Sequence, residues 1–275
     1  MNHCRVISIT NQKGGVAKTT TAVNLGAGLV RNGHRVLLID ADPQGSLTVS
    51  LGVKEPDYLD ISLATVMQDV IEGRAFLADE GILHHREGMD LLPSNIELSG
   101  LETALFNVMS RETVLKNYIR MVRHQYDYIL IDCMPSLGMM TVNALAAADS
   151  VIIPTQPSFL SAKGMDLLFR SIARVQRSIN PDLAIDGILM TMVDARTNNA
   201  REVENALRNG IGQKVRIFQT QIPHSVRAVE STQEGKSIFA YDPKGKVAEA
   251  YGKLTEEVER IAEKSKLRSG DDRIR

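Results

Sequence analysis

Arg5-Val-Ile-Ser-Ile-Thr-Asn-Gln-Lys-Gly-Gly-Val-Ala-Lys-Thr-Thr-Thr21 is the stretch on which the fold turns. Arg5–Thr10 is a Val/Ile-rich run too short for a buried helix, and it feeds a loop with Gly14 and Gly15 before a helical pattern starts at Lys18. A strand, a glycine-containing loop and a helix start make a site for polyphosphate, because backbone N–H groups and the positive end of the helix dipole converge there. A lysine in that place reaches β- and γ-phosphates, and the hydroxyl after it ligates Mg²⁺; Lys18 and Thr19 fit those tasks. The strict template Gly-x-x-x-x-Gly-Lys-[Ser/Thr] is not met, since Gln12 and Ala17 stand where its glycines belong. The chain has Lys-Gly-Gly-x-x-Lys-Thr instead, with a second lysine, Lys13, ahead of Lys18. The plainer alternative is a solvated lysine in an ordinary turn. The position after the first strand, the Gly pair and the Lys-Thr-Thr run together favour the phosphate site.

Outward from this unit, short apolar runs alternate with helical segments, the pattern of a parallel sheet covered on both faces. Expected strands are Arg5–Thr10, Arg35–Asp40, Met89–Pro93, Tyr128–Asp132, Ser150–Pro154, Ile185–Val193 and Arg216–Ile222. Expected helices are Lys18–Asn32, Leu101–Gln125, Leu137–Ala147, Ala162–Ile179, Ala200–Asn209 and Lys246–Lys264, most of them stopped by Gly or Pro. The fold class is α/β, a doubly wound, mostly parallel sheet with helices on both faces. With no repeat, low-complexity block or Pro/Ser-rich linker, one domain over residues 1–265 is expected, followed by a polar tail, 266–275. Lys54–Leu101 is the least regular stretch.

Composition narrows the function. The chain has 275 residues and 43% hydrophobic content, enough to bury a core, so disorder is excluded for most of it. Lys plus Arg number 32 against 33 acidic residues, so any nucleic-acid contact uses a local patch rather than a basic coat. Aromatic content of 4% with no Trp disfavours a stacking platform for single strands. The two cysteines, Cys4 and Cys133, are too few for a disulfide framework and fit a reducing compartment. No apolar leader and no run approaching the roughly 18 apolar residues of a membrane span is visible, so a cytoplasmic protein is expected.

Asp40 and Asp42 follow the second strand and point to the edge where open α/β sheets bind ligands. An Asx turn before Pro43 is the alternative use for either. Asp132 ends an apolar strand, where a carboxylate is costly unless it meets a cation or donors; Mg²⁺ answers that, as a salt bridge or helix cap also would. Cys133 reads as core.

The run Lys13-Gly-Gly-Val-Ala-Lys-Thr-Thr20 resembles the deviant Walker A motif of the ParA/MinD family of partitioning ATPases. Leu38-Ile-Asp-Ala-Asp-Pro-Gln-Gly45 is similar to that family's second motif, Tyr128-Ile-Leu-Ile-Asp-Cys133 to its Walker B strand, and Ile222-Pro-His-Ser-Val-Arg227 to its late Ile-Pro-x-x-Val-Arg element. Asp42-Pro-Gln-Gly, Thr191-Met-Val-Asp-Ala-Arg-Thr197 and Tyr241-Asp-Pro resemble the ParA/Soj branch. Where the family usually has proline, Met134 departs from it.

The resemblance implies an ATPase in which Lys13, Gly14, Gly15, Val16, Ala17, Lys18, Thr19 and Thr20 hold the nucleotide, with Lys13 reaching across a homodimer that sandwiches two ATP molecules. It implies that Asp42 orients the attacking water, that Asp40 lies nearer the metal shell or the loop's hydrogen bonds, and that Thr19, Asp42 and Asp132 surround Mg²⁺. Met192 and Pro223 are the expected nucleobase contacts. The absence of an Asn-Lys-x-Asp motif favours ATP over GTP.

Residues 214–246 hold six basic side chains, Lys214, Arg216, Arg227, Lys236, Lys244 and Lys246, against Glu230, Glu234 and Asp242. The count alone suits an ordinary solvated surface. The resemblance assigns Arg227, Lys236, Lys244 and Lys246 to sequence-independent contacts with double-stranded DNA phosphates, which places the protein on the nucleoid with a ParB-like partner. With only a dozen residues ahead of Lys13 and no apolar face in residues 263–275, neither sequence-specific operator binding nor membrane cycling is expected. The competing reading is a metabolic or metal-cluster-assembly ATPase on the same scaffold.

Overall fold

The apolar runs fold as eight strands, β1 (Arg5–Ile9), β2 (Val36–Ala41), β3 (Leu83–His84), β4 (Asp90–Leu92), β5 (Tyr128–Cys133), β6 (Ser150–Thr155), β7 (Ala184–Val193) and β8 (Ile217–Pro223). The structure, a computed structural model, describes residues 4–157, 162–194 and 215–271. Among these, one sheet runs in the order β3-β4-β2-β5-β1-β6-β7-β8, parallel at every pairing except β3 with β4.

The helices are α1 (Lys18–Arg31), α2 (Ser46–Ser50), α3 (Leu63–Glu72), α4 (Glu97–Ala104), α5 (Val114–Val122), α6 (Met139–Ala147), α7 (Ala162–Ser178), α8 (Val226–Gln233), α9 (Ile238–Tyr241) and α10 (Lys246–Asp271). Side chains alternate across the central strands, so two cores form. Val6, Leu37, Ile39, Ile129 and Ile131 pack with α3 to α7, while Ile7, Ile9, Val36, Leu38 and Leu130 pack with α1, α2, α9 and α10. This two-sided cover is why β1, β2, β5 and β6 are buried at every residue and read as unbroken apolar runs. Helices α1 and α10 touch closely: a Cβ on Gly28 would collide with the Thr255 hydroxyl.

Each expected strand is present within a residue or two of its expected ends, and β3, only two residues long, is the addition. The expected helix Leu101–Gln125 is a correction. It divides into α4, a 3₁₀ turn at Leu105–Asn107, a break at Ser110 (φ 54°), a second 3₁₀ turn at Arg111–Thr113, α5, and a closing 3₁₀ turn at Arg123–Gln125. A continuous helix would have carried Glu112 onto the buried stripe, two turns after Leu105 and two before Ile119. Instead α5 starts afresh, its Leu115 N–H donating to buried Asn143 Oδ1 at 3.2 Å.

Helix α3 lies in the stretch that looked least regular, and its signals are a Ser62/Thr65 capping box and Gly73 at its C-terminus (φ 66°). Helix α10 runs on past Lys264 to Asp271. The expected helix Ala200–Asn209, together with Arg196 and Lys214, lies outside the described residues. No helix among the described residues is long and apolar enough to cross a membrane.

Candidate active site

Since β1, β2, β5, β6, β7 and β8 point the same way, the loops after them open on one edge of the sheet. The loop after β1 turns through left-handed backbone at Gly15 (φ 70°) and again at Ala17 (φ 61°). Ala17 thus holds, at a modest steric cost, a conformation that glycine adopts without strain, and it occupies a template glycine position. Neighbouring strands fasten the loop. Asn11 Nδ2 donates to Pro154 O (2.8 Å), Asn11 Oδ1 accepts from Lys13 N–H (3.0 Å), and the Thr191 hydroxyl donates to Val16 O (3.0 Å). Gln156 Nε2 donates to Gly15 O.

Lys18 is buried at the first turn of α1, and its Nζ donates to Lys13 O at 3.1 Å. Burial pulls its pKa below the usual lysine value, against the charges of Asp132, Cys133 and Asp42. Lys13, Gly14 and Gly15 lie exposed on the outer side of the same loop. The Thr19 hydroxyl donates to Asp132 Oδ2 at 2.6 Å, whereas Asp132 Oδ1 is buried with no hydrogen-bond partner. Burial first, and then the charge of Asp40, pushes the Asp132 carboxyl well above the ordinary carboxylate range. A buried orphan carboxylate oxygen beside a hydroxyl is a hard-oxygen pair of the kind Mg²⁺ takes, the remaining ligands coming from phosphate and water.

Asp40 sits opposite Asp132 in the β2–β5 register and is fully buried. Its Oδ2 accepts from Thr48 N–H (2.8 Å) and the Thr48 hydroxyl (2.7 Å), and its Oδ1 accepts from Asp42 N–H (3.2 Å). Its oxygens are therefore committed to holding the loop. Burial raises its pKa to about 6 in spite of these donors. Asp42 is half-buried and makes the Asx turn, Oδ1 accepting from Gln44 N–H at 2.9 Å. Cys133 is core: its Sγ lies 3.2 Å from Ser8 Oγ, and burial pushes the thiol up to about 12.

Met192 (φ 52°) and Pro223 end adjacent strands, Pro223 registering with Val193. Met192 Sδ meets Gln156 Nε2, which puts it beside the phosphate loop. Arg227, on α8, stands 3.6 Å from Asp242, and Lys236 stands 3.5 Å from Glu234; Lys244 and Lys246 are exposed at the start of α10. These four lie on the α8–α9–α10 corner. Exposed Arg86, which sequence reading passed over, joins them by donating to Gly235 O at 3.2 Å. Nothing in the sequence links positions 86 and 235, because the pairing is made by the fold.

An AAA-domain family model matches residues 4–185. The sporulation initiation inhibitor protein Soj of Bacillus subtilis is 43% identical over 254 residues, 92% of this chain and 98% of that protein. The chain belongs to the ParA/MinD family of ATPases. Within that family, the chromosome partitioning protein ParA of Caulobacter vibrioides is 41% identical over 259 residues, 94% of each chain. A solved structure described as cobyrinic acid a,c-diamide synthase from Mycobacterium smegmatis superimposes with a TM-score of 0.80 at 36% identity, covering 94% of both chains. In another crystal structure, at 37% identity and a TM-score of 0.75 over 89% of this chain and 98% of that one, the M. smegmatis protein holds an ATP analogue and magnesium. The ParA/MinD loop, the Asp132 strand and the Asp40–Asp42 turn of this chain lie within the matched region.

Proposed function

We propose that this chain is a DNA-partitioning ATPase of the ParA type, which closes into a dimer on ATP, coats DNA without regard to sequence, and leaves it when a ParB-like partner stimulates hydrolysis. The observation that carries the reading is the Thr19–Asp132 pair with its orphan carboxylate oxygen, in one loop-and-strand unit with buried Lys18 and exposed Lys13. Phosphoryl transfer asks mainly for positioning and for positive charge where negative charge spreads. Backbone N–H groups from Gly14 to Thr20 hold the phosphates of ATP, and Lys18 leaves Lys13 O for them. Lys13 completes the neighbouring copy's site. Thr19 and Asp132, together with Asp42, would hold Mg²⁺, which would supply positive charge against the phosphates when nucleotide is bound. Asp42 orients the water, and Met192 and Pro223 flank the base.

Arg227, Lys236, Lys244 and Lys246 neutralise DNA phosphates, two sets per dimer. The chain acts as one domain whose last helix runs on to Asp271, in the cytoplasm on the nucleoid. The experiment is retention on random double-stranded DNA with Mg²⁺ and either ATP or ADP. Retention with ATP alone, lost in Lys18→Ala, supports the reading, and equal retention with both nucleotides overturns it. The M. smegmatis structure described as a diamide synthase motivates a second reading, ATP-dependent amide synthesis on the same scaffold. ATP turnover that answers to cobyrinic acid and not to DNA would select it.

A further inference from the structure

Helix α6 begins where the linker after Asp132 ends, and its N-cap residue, Gly138, offers no side-chain cap. The acceptor comes from a different helix. Glu102 Oε1 on α4 accepts Met140 N–H at 3.1 Å, and it comes so near Gly138 that a Cβ there would collide with the same oxygen. Between Asp132 and this anchor, Pro135 faces the phosphate loop: a Cβ at Gly14 would stand 3.9 Å from Pro135 Cβ. The chain entering α4 is tied to the opposite carboxylate loop, since Ser94 N–H donates to Thr48 Oγ1 (3.0 Å) and that hydroxyl donates to Asp40 Oδ2 (2.7 Å). Helix α4 is thus a strap with one end on the Asp40–Asp42 loop and the other on the linker behind Asp132.

We infer that Glu102 is a positioning residue for ATP hydrolysis: its bond to Met140 N–H holds residues 134–138 over the phosphate loop in step with the Asp42 turn. The inference rests on the ATPase reading above. A carboxylate that merely capped α6 would add to stability and leave turnover alone. One that sets the reach of the linker acts on kcat, because small misplacements of reacting groups are costly.

The test uses the full chain with Glu102→Ala, Glu102→Gln, which keeps an acceptor oxygen, and Gly138→Ala, which displaces the carboxylate without removing it. ATP turnover with Mg²⁺ and hydrogen–deuterium exchange of residues 134–142 are read in each. Glu102→Ala and Gly138→Ala should lower kcat by about tenfold or more with KM for ATP within about twofold, and should speed exchange; Glu102→Gln should restore both. Wild-type turnover in Glu102→Ala, a change in KM alone, or equal impairment of Glu102→Gln overturns the inference. So does unchanged exchange, whatever the turnover. A wild-type protein with no turnover that Lys18→Ala abolishes would instead overturn the ATPase reading.

Discussion

Ala17 and Asp40 carry the local tensions of the site. Ala17 keeps a Cβ in left-handed backbone at the start of α1, so Ala17→Gly should be neutral or stabilising by about 0.5–1 kcal/mol. Ala17→Val should lower both Tm and ATP affinity, because a β-branched side chain resists that conformation; equal Tm values for the two would contradict the strain. Asp40 is held ionised only by its three donors, and its folded pKa of about 6 lies above the 3.8 of an ordinary Asp. Between those values the native chain binds more protons than the unfolded one, so this group's contribution falls as pH rises from about 4 to about 6 and stays unfavourable above. Relative to wild type, Asp40→Asn should therefore gain stability between pH 4 and pH 7, by up to about 3 kcal/mol. Parallel denaturant titrations at the two pH values check this, and a constant difference would contradict it. The paired lysines and the carboxylates were legible at this scale because the phosphate loop and the strand ends are contiguous in sequence. Thr48 and Glu102 were not, since their roles come from partners brought near by folding.

At the scale of elements, strands were easier to read than helices. Burial on both faces writes β1, β2 and β5 as short Val/Ile/Leu runs that no amphipathic helix mimics. The α4–α5 region misled because its apolar residues keep helical spacing across a real break, and only Glu112 on the core stripe betrays the interruption. Asn143 marks that break physically: buried, it accepts from Leu115 N–H and donates to Arg111 O (2.8 Å) and Met139 O (3.1 Å). Asn143→Ala would leave the buried Leu115 N–H without its partner and take a donor from Arg111 O, so unfolding free energy should drop by about 1–3 kcal/mol while ATP affinity in the folded protein holds. A drop below about 0.5 kcal/mol would contradict the capping role. Helix α3 could have been recognised from its Ser62/Thr65 box and Gly73; two-residue β3 carries no periodicity to recognise.

For the molecule as a whole, near-neutral net charge hides a corner where Arg86, Arg227, Lys236, Lys244 and Lys246 gather. Composition could exclude a basic coat, yet only the fold brings Arg86 to that corner. Replacing Arg227 and Lys236 by Ala should weaken binding to any duplex about equally and flatten its salt dependence by about one ion per lost phosphate contact. Loss confined to one sequence would contradict phosphate binding. The central claim remains that Lys13 of one copy completes the ATP site of another. The mass in solution, measured by light scattering with Mg²⁺–ATP, with ADP and without nucleotide, tests it most directly when wild type and Lys13→Ala are compared. The account predicts a dimer for wild type with ATP alone and a monomer for Lys13→Ala in all three conditions; a Lys13→Ala protein that dimerises on ATP as wild type does would contradict it.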